Sequence, residues 1–395
     1  MSERLWDDAV LDALRGEGDP HADAVVEGYF NDLRHEDPGQ LMRGLVQNRN
    51  LPPEELDPVV ARYLAEQPAW PTWANPELVT EGEEFFGRWG SHVFTALYAG
   101  SLPTAYAAAK GVKVLHLTAR LATDAKRRLN ETAQFHLDVL QPGGLQPGGE
   151  GYDAVRHVRL MHAAVRWLIA HDESESTTTG TAPDGSRWDP ATGLPVNQED
   201  LLETLLTFTQ IVFEVFDRTG VRYTQEEAEA YLHTWCVVGH LLGIRPDLLP
   251  LDLDDAKALM AASRRRNHAR SDAGVEMTAA LLEQASAVVP RGLRGLPASA
   301  IRFYIGDATA DLLEVPSADW TLRLFSPLAR LTRVTTYVKA HGRLRHSLSS
   351  RMGQAMLDAA VRAERGGNRP NFQIPTTLAD RWNVKAGRQA SDLHT

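Results

Sequence analysis

Arg128-Leu129-Asn130-Glu131-Thr132 and Arg159-Leu160-Met161-His162-Ala163-Ala164-Val165-Arg166 sit in two apolar helical patterns, separated by a glycine-rich double turn. On a helix, Arg159, His162 and Arg166 fall at i, i+3 and i+7 and share one face. Val155, Val158, Val165 and Ile169 lie on or beside that face, which predicts that it is mostly buried. In the first stretch, Arg128, Thr132 and Phe135 share a face and Glu131 borders it.

A buried stripe with two guanidiniums and an imidazole is costly unless anions accompany it. Two readings meet that need. One is an axial histidine flanked by arginines that hold two heme propionates. The other is a core helix whose arginines pair with buried Asp or Glu around a hydrogen-bonded histidine. The first stretch is likewise either a polar wall opposite the histidine or a solvated face, given Lys126 and Arg127 beside it.

Working outward, the patterns are short helices joined by short polar breaks. Leu5, Val10, Leu11 and Leu14 mark an amphipathic element that Gly18-Asp19-Pro20 stops, and Val25, Val26, Tyr29 and Phe30 mark the next. Pro68 to Pro76 is a proline- and tryptophan-rich connector. Phe85, Phe86, Trp89, Val93, Phe94, Leu97 and Tyr98 make a long helix broken by Gly100-Ser101-Leu102-Pro103, and Val112 to Leu140 reads as helix. Gln141-Pro142-Gly143-Gly144 and Gln146-Pro147-Gly148-Gly149 are consecutive turns; no Gly-Lys-Ser follows, so they are not a phosphate loop. Residues 172–196 read as a surface excursion. Asn197 caps a helix from Leu201 to Val215, and Thr224-Gln225-Glu226-Glu227 is a capping box. Gly243 and Pro246 end that helix. Residues 254–289 hold one or two helices with a basic run at Arg264-Arg265-Arg266, and 297–313 and 320–338 complete the core. Period-2 alternation is absent, so the fold class is all-α, a single large helical domain. Residues 1–75 are an N-terminal extension packed on the core, 76–365 the core, and 366–395 a polar tail.

The chain has 395 residues, of which 43% are hydrophobic, enough for a substantial core. A net charge of -11 argues against a nucleic-acid partner. A single cysteine, Cys236, excludes an intramolecular disulfide and cysteine-built zinc sites. No apolar run approaches the roughly 18–20 residues that span a bilayer. No basic, apolar leader is visible, so a cytoplasmic location is expected.

Other chemistry-bearing residues are weaker candidates. His233 and His240 are seven apart, too far along one helix for both to bind one metal. No Glu-x-x-His occurs, so a ferritin-like di-iron site lacks its signature. Cys236 and Trp235 read as core.

These motifs together resemble the latex clearing protein family, within the group that includes the mycophenolate-pathway oxygenase. The resemblance runs from Arg-x-x-x-Thr at Arg128–Thr132 to Arg-x-x-His-x-x-x-Arg thirty residues on. It continues through Leu194-Pro195-Val196-Asn197-Gln198-Glu199-Asp200, Trp235-x-Val237-Val238-Gly239-x-Leu241-Leu242-Gly243 and Arg302-x-x-x-Gly306-Asp307. It implies a globin-like core with one b-type heme, O₂ as co-substrate, and oxidative cleavage of an alkene or isoprenoid C=C bond to carbonyl products. By resemblance His162 is the iron ligand, Arg159, Arg166 and Arg302 hold the heme, and Arg128 and Thr132 stand on the O₂ side. Glu131 occupies the place of a family lysine and becomes the candidate base, with Lys110 or Lys113 as a charge-swapped partner. Without a visible leader, a small apolar alkene is a more natural substrate than solid rubber. The other readings are a heme-dependent dehydrogenase or hydroxylase, a non-catalytic heme or apolar-ligand carrier, and a helical protein with no cofactor.

Overall fold

The computed structural model describes residues 6–32, 58–66, 68–118, 132–171, 188–325, 327 and 332. In chain order the helices are α1 (Asp8–Leu14), α2 (Pro20–Asp32), α3 (Pro58–Ala65), α4 (Pro76–Ala96), α5 (Leu102–Ala107) and α6 (Val112–Thr118). Then come α7 (132–140), α8 (Glu150–Ala170), α9 (Gln198–Phe208), α10 (Gln210–Thr219) and α11 (Gln225–Leu241). The last are α12 (Leu253–Asn267), α13 (Asp272–Val288), α14 (Leu296–Ile305) and α15 (Asp307–Leu312). No strand occurs among the described residues, only an isolated bridge between Ala108 and His268. No described helix is long and apolar enough to cross a membrane. The expected tail at 366–395 lies outside the described residues.

The centre is the pairing of α4 with α11. Helix α4 starts where the Asn75 side chain accepts the Glu77 N–H and Pro76 fills the first turn. It buries Phe85, Phe86, Trp89 and Val93 at helical spacing. Helix α11 starts at the Thr224–Glu227 capping box and buries Tyr231, Trp235 and Val238. Gly82 lets the two backbones approach: a Cβ there would lie 2.1 Å from Thr234 Oγ1 and 2.9 Å from the Ala230 carbonyl. A second, smaller cluster joins Ala22, Val26, Tyr29, Val60 and Tyr63 to Leu160, Ala163, Ala164 and Leu168. Through it α2 and α3 pack on one face of α8.

Three element boundaries differ from the sequence expectation. Gly100-Ser101-Leu102-Pro103 does not end the helical path. A π-helical turn, Leu97–Ser101, absorbs the irregularity, and α5 follows with Pro103 in its first turn, where a missing N–H costs nothing. The expected helix from Leu201 to Val215 is split at Thr209 (φ -119°, ψ -77°). There the Thr207 and Thr209 hydroxyls donate to the Thr204 and Leu205 carbonyls and compete with the helical ladder. Trp320–Leu324 is 3₁₀ rather than α-helical.

The QPGG double turn is fastened at two points. Trp70 Nε1 donates to the Leu145 carbonyl, and the Gly143 N–H donates to Glu83 Oε1 at 3.1 Å. Burial pushes the Glu83 carboxyl up to about 7, against the pull of the Gly143 N–H. Its folded pKa lies above the ordinary 4.5, so the folded state binds the extra proton. Stability from this group is full below about pH 4.5 and is lost as pH rises through about 7. Glu83→Gln is therefore expected to raise stability at pH 8 by on the order of 2 kcal/mol and to change nothing at pH 4. Urea melts at the two pH values check this; an equal gain at both would point to a cause other than ionisation.

Candidate functional site

Helix α8 carries Arg159, His162 and Arg166 on one face, as the spacing predicts. Beside that face Leu160, Ala163, Ala164 and Leu168 pack on α2 and α3, and Tyr152, Ala154 and Val155 join the main core. The guanidiniums are occupied by protein groups. Arg159 makes a bidentate pair with Asp19, Nε to Oδ2 and Nη2 to Oδ1 at 2.8 Å. Asp19 is only 2% exposed. Arg166 donates from Nε to Asp23 Oδ1 at 2.8 Å and from Nη1 to the Val196 carbonyl at 2.7 Å. Burial raises the Asp23 carboxyl, while Arg166 pulls it down. Of the two readings left open by the spacing, paired carboxylates are what the arginines have.

The turn after α11 closes this junction. Gly243 takes φ +93°, and a Cβ on it would sit 2.2 Å from Asp19 Oδ2 and 3.0 Å from Arg159 Nε. Gln198 Nε2 donates to the Gly18 and Gly243 carbonyls, and its Oε1 accepts the Arg245 N–H. Asn197 caps α9 through the Asp200 N–H. The Asn-Gln-Glu-Asp and Gly-x-Leu-Leu-Gly signatures thus meet at one place, where the segments around Asp19, Gln198 and Gly243 adjoin α8. Arg156, three residues before Arg159, adds a fastening by donating to the Tyr63, Leu64 and Glu66 carbonyls.

His162 is buried on this face. Burial pushes its ring pKa down to about 3, and the Arg166 charge pushes the same way, so the imidazole is neutral. Its buried Nδ1 has no hydrogen-bond partner among the described residues. The Nδ1 atoms of His136, His157 and His171 each bond the carbonyl four residues back, while the buried Nε2 of His136 lacks a partner as the His162 Nδ1 does. Yet His162 keeps partial surface exposure, as do Val158, Arg159 and Met161. His240 on α11 resembles it: its Nδ1 is buried without a partner, its pKa is lowered by burial and by Arg159, and its ring stands edge-on to Trp73.

A neutral imidazole with an unpaired nitrogen on a rigid helix fits the ligand of a heme iron. The arginines fit that group less directly, since Asp19 and Asp23 already hold Arg159 and Arg166. Arg302 is not brought to the α8 junction by any of its bonds. Its guanidinium is spent on Asp307, Asp311 and the Val315 and Pro316 carbonyls, all within its own stretch of chain. Among the described residues no group of three or more metal-ligating side chains occurs. Thr132 begins α7, half-buried, with its carbonyl accepting from His136 Nδ1. Arg128 and Glu131 lie outside the described residues, and so does any pairing of Glu131 with Lys110 or Lys113.

Sequence reasoning missed several of these residues. Asp19 stood in what read as a helix stop. His136 drew no attention, yet it is fully buried among Phe94, Phe135, Phe208 and Trp235, with its pKa lowered to about 4 by burial. Its place one turn after Thr132 on an apolar helix was the available signal. The basic run at Arg264–Arg266 is no anion site: it pairs with Glu214, Asp8, Asp12 and Glu199.

Residues 84–363 match the family described as ER-bound oxygenase mpaB/B'/rubber oxygenase, catalytic domain. A curated relative is the rubber oxygenase of Streptomyces sp. (strain K30), 25% identical over 313 residues, which are 79% of this chain and 71% of the relative. A solved structure of latex clearing protein in its closed state superposes with a TM-score of 0.68 at 23% identity, covering 91% of this chain and 94% of that one. That likeness carries the all-α fold.

Proposed function

The chain belongs to the mpaB/B'/rubber oxygenase family, and from that premise we propose that it is a b-type heme-dependent oxygenase. It uses O₂ on an alkene or isoprenoid-type substrate and cleaves a C=C bond to carbonyl products. The observation that supports this reading is His162, a neutral imidazole with an unmatched nitrogen, on a helix fastened by Asp19, Asp23 and the carbonyls of Tyr63, Leu64, Glu66 and Val196. The chain's similarity to a rubber oxygenase points to polyisoprene-type chemistry.

In this reading His162 holds the heme, and the bound heme supplies O₂ activation. Burial keeps the His162 ring unprotonated across the working pH range, so no proton competes with the metal. Arg159 and Arg166 act as positioning residues, since their pairs with Asp19 and Asp23 fix α8 against α2. Arg166 also keeps a positive charge next to the imidazole. By resemblance Arg128 and Thr132 would serve O₂ and Glu131 would be the base for an allylic proton of the substrate; Arg128 and Glu131 lie outside the described residues.

The test is incubation of the heme-loaded protein with a small isoprenoid alkene under mass-labelled dioxygen. Label in both carbonyl products is expected. Unlabelled, desaturated product would instead identify a dehydrogenase. Protein that takes up no heme under any loading condition would remove the reading.

A further inference from the structure

Inside the core, where α7 meets α11, three polar atoms stand without a protein partner. His136, Tyr231 and Trp235 are each 0% exposed. His136 Nε2, the Tyr231 hydroxyl and Trp235 Nε1 are buried and make no hydrogen bond among the described residues. Trp235 adjoins both of the others, with its ring centroid 4.9 Å from that of His136 and 6.3 Å from that of Tyr231. Tyr231 and Trp235 are one turn apart on α11 and share a face. Burial pushes the Tyr231 phenol up, and the Trp235 indole N–H pulls it the other way, as an N–H directed toward the phenol oxygen does. Phe94, Phe135 and Phe208 stand around the rest of the His136 ring.

The proton positions follow from the partners that do exist. His136 Nδ1 lies 2.8 Å from the Thr132 carbonyl, which can only accept. Nδ1 therefore carries the ring proton, and Nε2 presents a lone pair. Burial pushes the ring pKa down to about 4, so the imidazole stays neutral and the lone pair stays open. Trp235 Nε1 can only donate, and the Tyr231 hydroxyl, kept protonated by burial, can give one bond. Folded cores rarely leave such groups unpaired, because each one costs a factor of roughly five to a hundred in stability. Here one acceptor and two donors are left over in the same patch of core. Their numbers are those that a single small partner would match.

We propose that His136, Tyr231 and Trp235 together hold one internal water molecule, which donates to His136 Nε2 and accepts from Trp235 Nε1 and the Tyr231 hydroxyl. The three groups select the ligand. A cation would meet the indole N–H, and an anion would meet the imidazole lone pair. A neutral molecule that both gives and accepts is left, and complete burial of all three side chains admits nothing larger than water. Waters inside proteins typically make about three hydrogen bonds to otherwise unsatisfied groups. With it, a polar strut runs from α11 through the His136 ring to the Thr132 carbonyl, where α7 begins. The site owes nothing to the heme reading, since none of its three groups is drawn from that reading.

The experiment is NMR cross-relaxation between water and the indole protons of the ¹⁵N-labelled full chain. The Trp235 signal is assigned by its absence from Trp235→Phe or, where that variant does not fold, by its contact with the Phe208 ring, 5.0 Å away. A water cross-peak with the sign of a long-lived complex is expected at the Trp235 indole proton. It should persist in Tyr231→Phe, where the indole N–H and His136 Nε2 still hold the water. No cross-peak in wild type overturns the proposal. So does one that vanishes in Tyr231→Phe, because it would then have been relayed by the exchanging hydroxyl. Urea melts of Tyr231→Phe give a second reading. Loss of a hydroxyl that is bonded to water should raise the unfolding equilibrium constant about two- to tenfold. An unchanged or lowered constant would mean that the hydroxyl is unbonded in the folded protein, and would overturn the proposal.

Discussion

His162→Ala is expected to fold, to keep its helical circular dichroism, and to lose or shift the Soret absorption that heme-loaded wild type should display. Turnover should fall with it by on the order of 100-fold or more, since even groups that only orient a ligand are worth roughly 10–100-fold. Stability should change little. The ring is neutral, and its buried Nδ1 makes no hydrogen bond, so alanine removes no satisfied interaction. This separation of spectrum from stability is what distinguishes an iron ligand from a core histidine. Removing a hydrogen-bonded core imidazole would lower the melting temperature and leave bound heme unaffected. A Soret band identical to wild type would move ligation to another imidazole, for which His240 has the same orphaned nitrogen.

Asp19→Ala is expected to produce the largest loss of stability, about 3 kcal/mol or more. Removing one partner of a buried ion pair leaves the other charged, desolvated and unpaired. Arg159 loses both arms of its bidentate pair, and Gly243 packs too closely for the helices to rearrange around the gap. The double variant Asp19→Ala/Arg159→Met should recover most of the loss, because a buried pair can be exchanged for apolar volume at little cost. Urea melts of the single and double variants provide the cycle. A single-variant loss below about 1 kcal/mol would class the pair with exposed salt bridges, which contribute little. Such a result would also mean that the N-terminal extension does not position α8.

Helix boundaries were legible where side chains act on their own backbone. Asn197 and Thr224 cap α9 and α11 as their side-chain chemistry requires. The i, i+3, i+7 stripe of α8 was legible because helical periodicity is local. The break at Thr209 was not. It depends on two hydroxyls choosing helix carbonyls, and their neighbours Leu205 and Leu206 read as continuous helix. The π turn was hidden in the same way, since Gly100 and Pro103 announce an irregularity without saying whether it ends the helix or widens it.

Composition and periodicity by themselves determined that this chain is all-α, with His162 and two arginines on one helical face. Both properties follow from neighbours three or four residues apart. The partners of those arginines were decided by tertiary structure alone. Asp19 and Arg159 are 140 residues apart in the chain, and no local pattern states that a turn before α2 will meet the middle of α8. A buried guanidinium demands some anion, and the spacing alone left both carboxylates and heme propionates open. Packing of α2 on α8, with Gly243 making room, brought the carboxylates first.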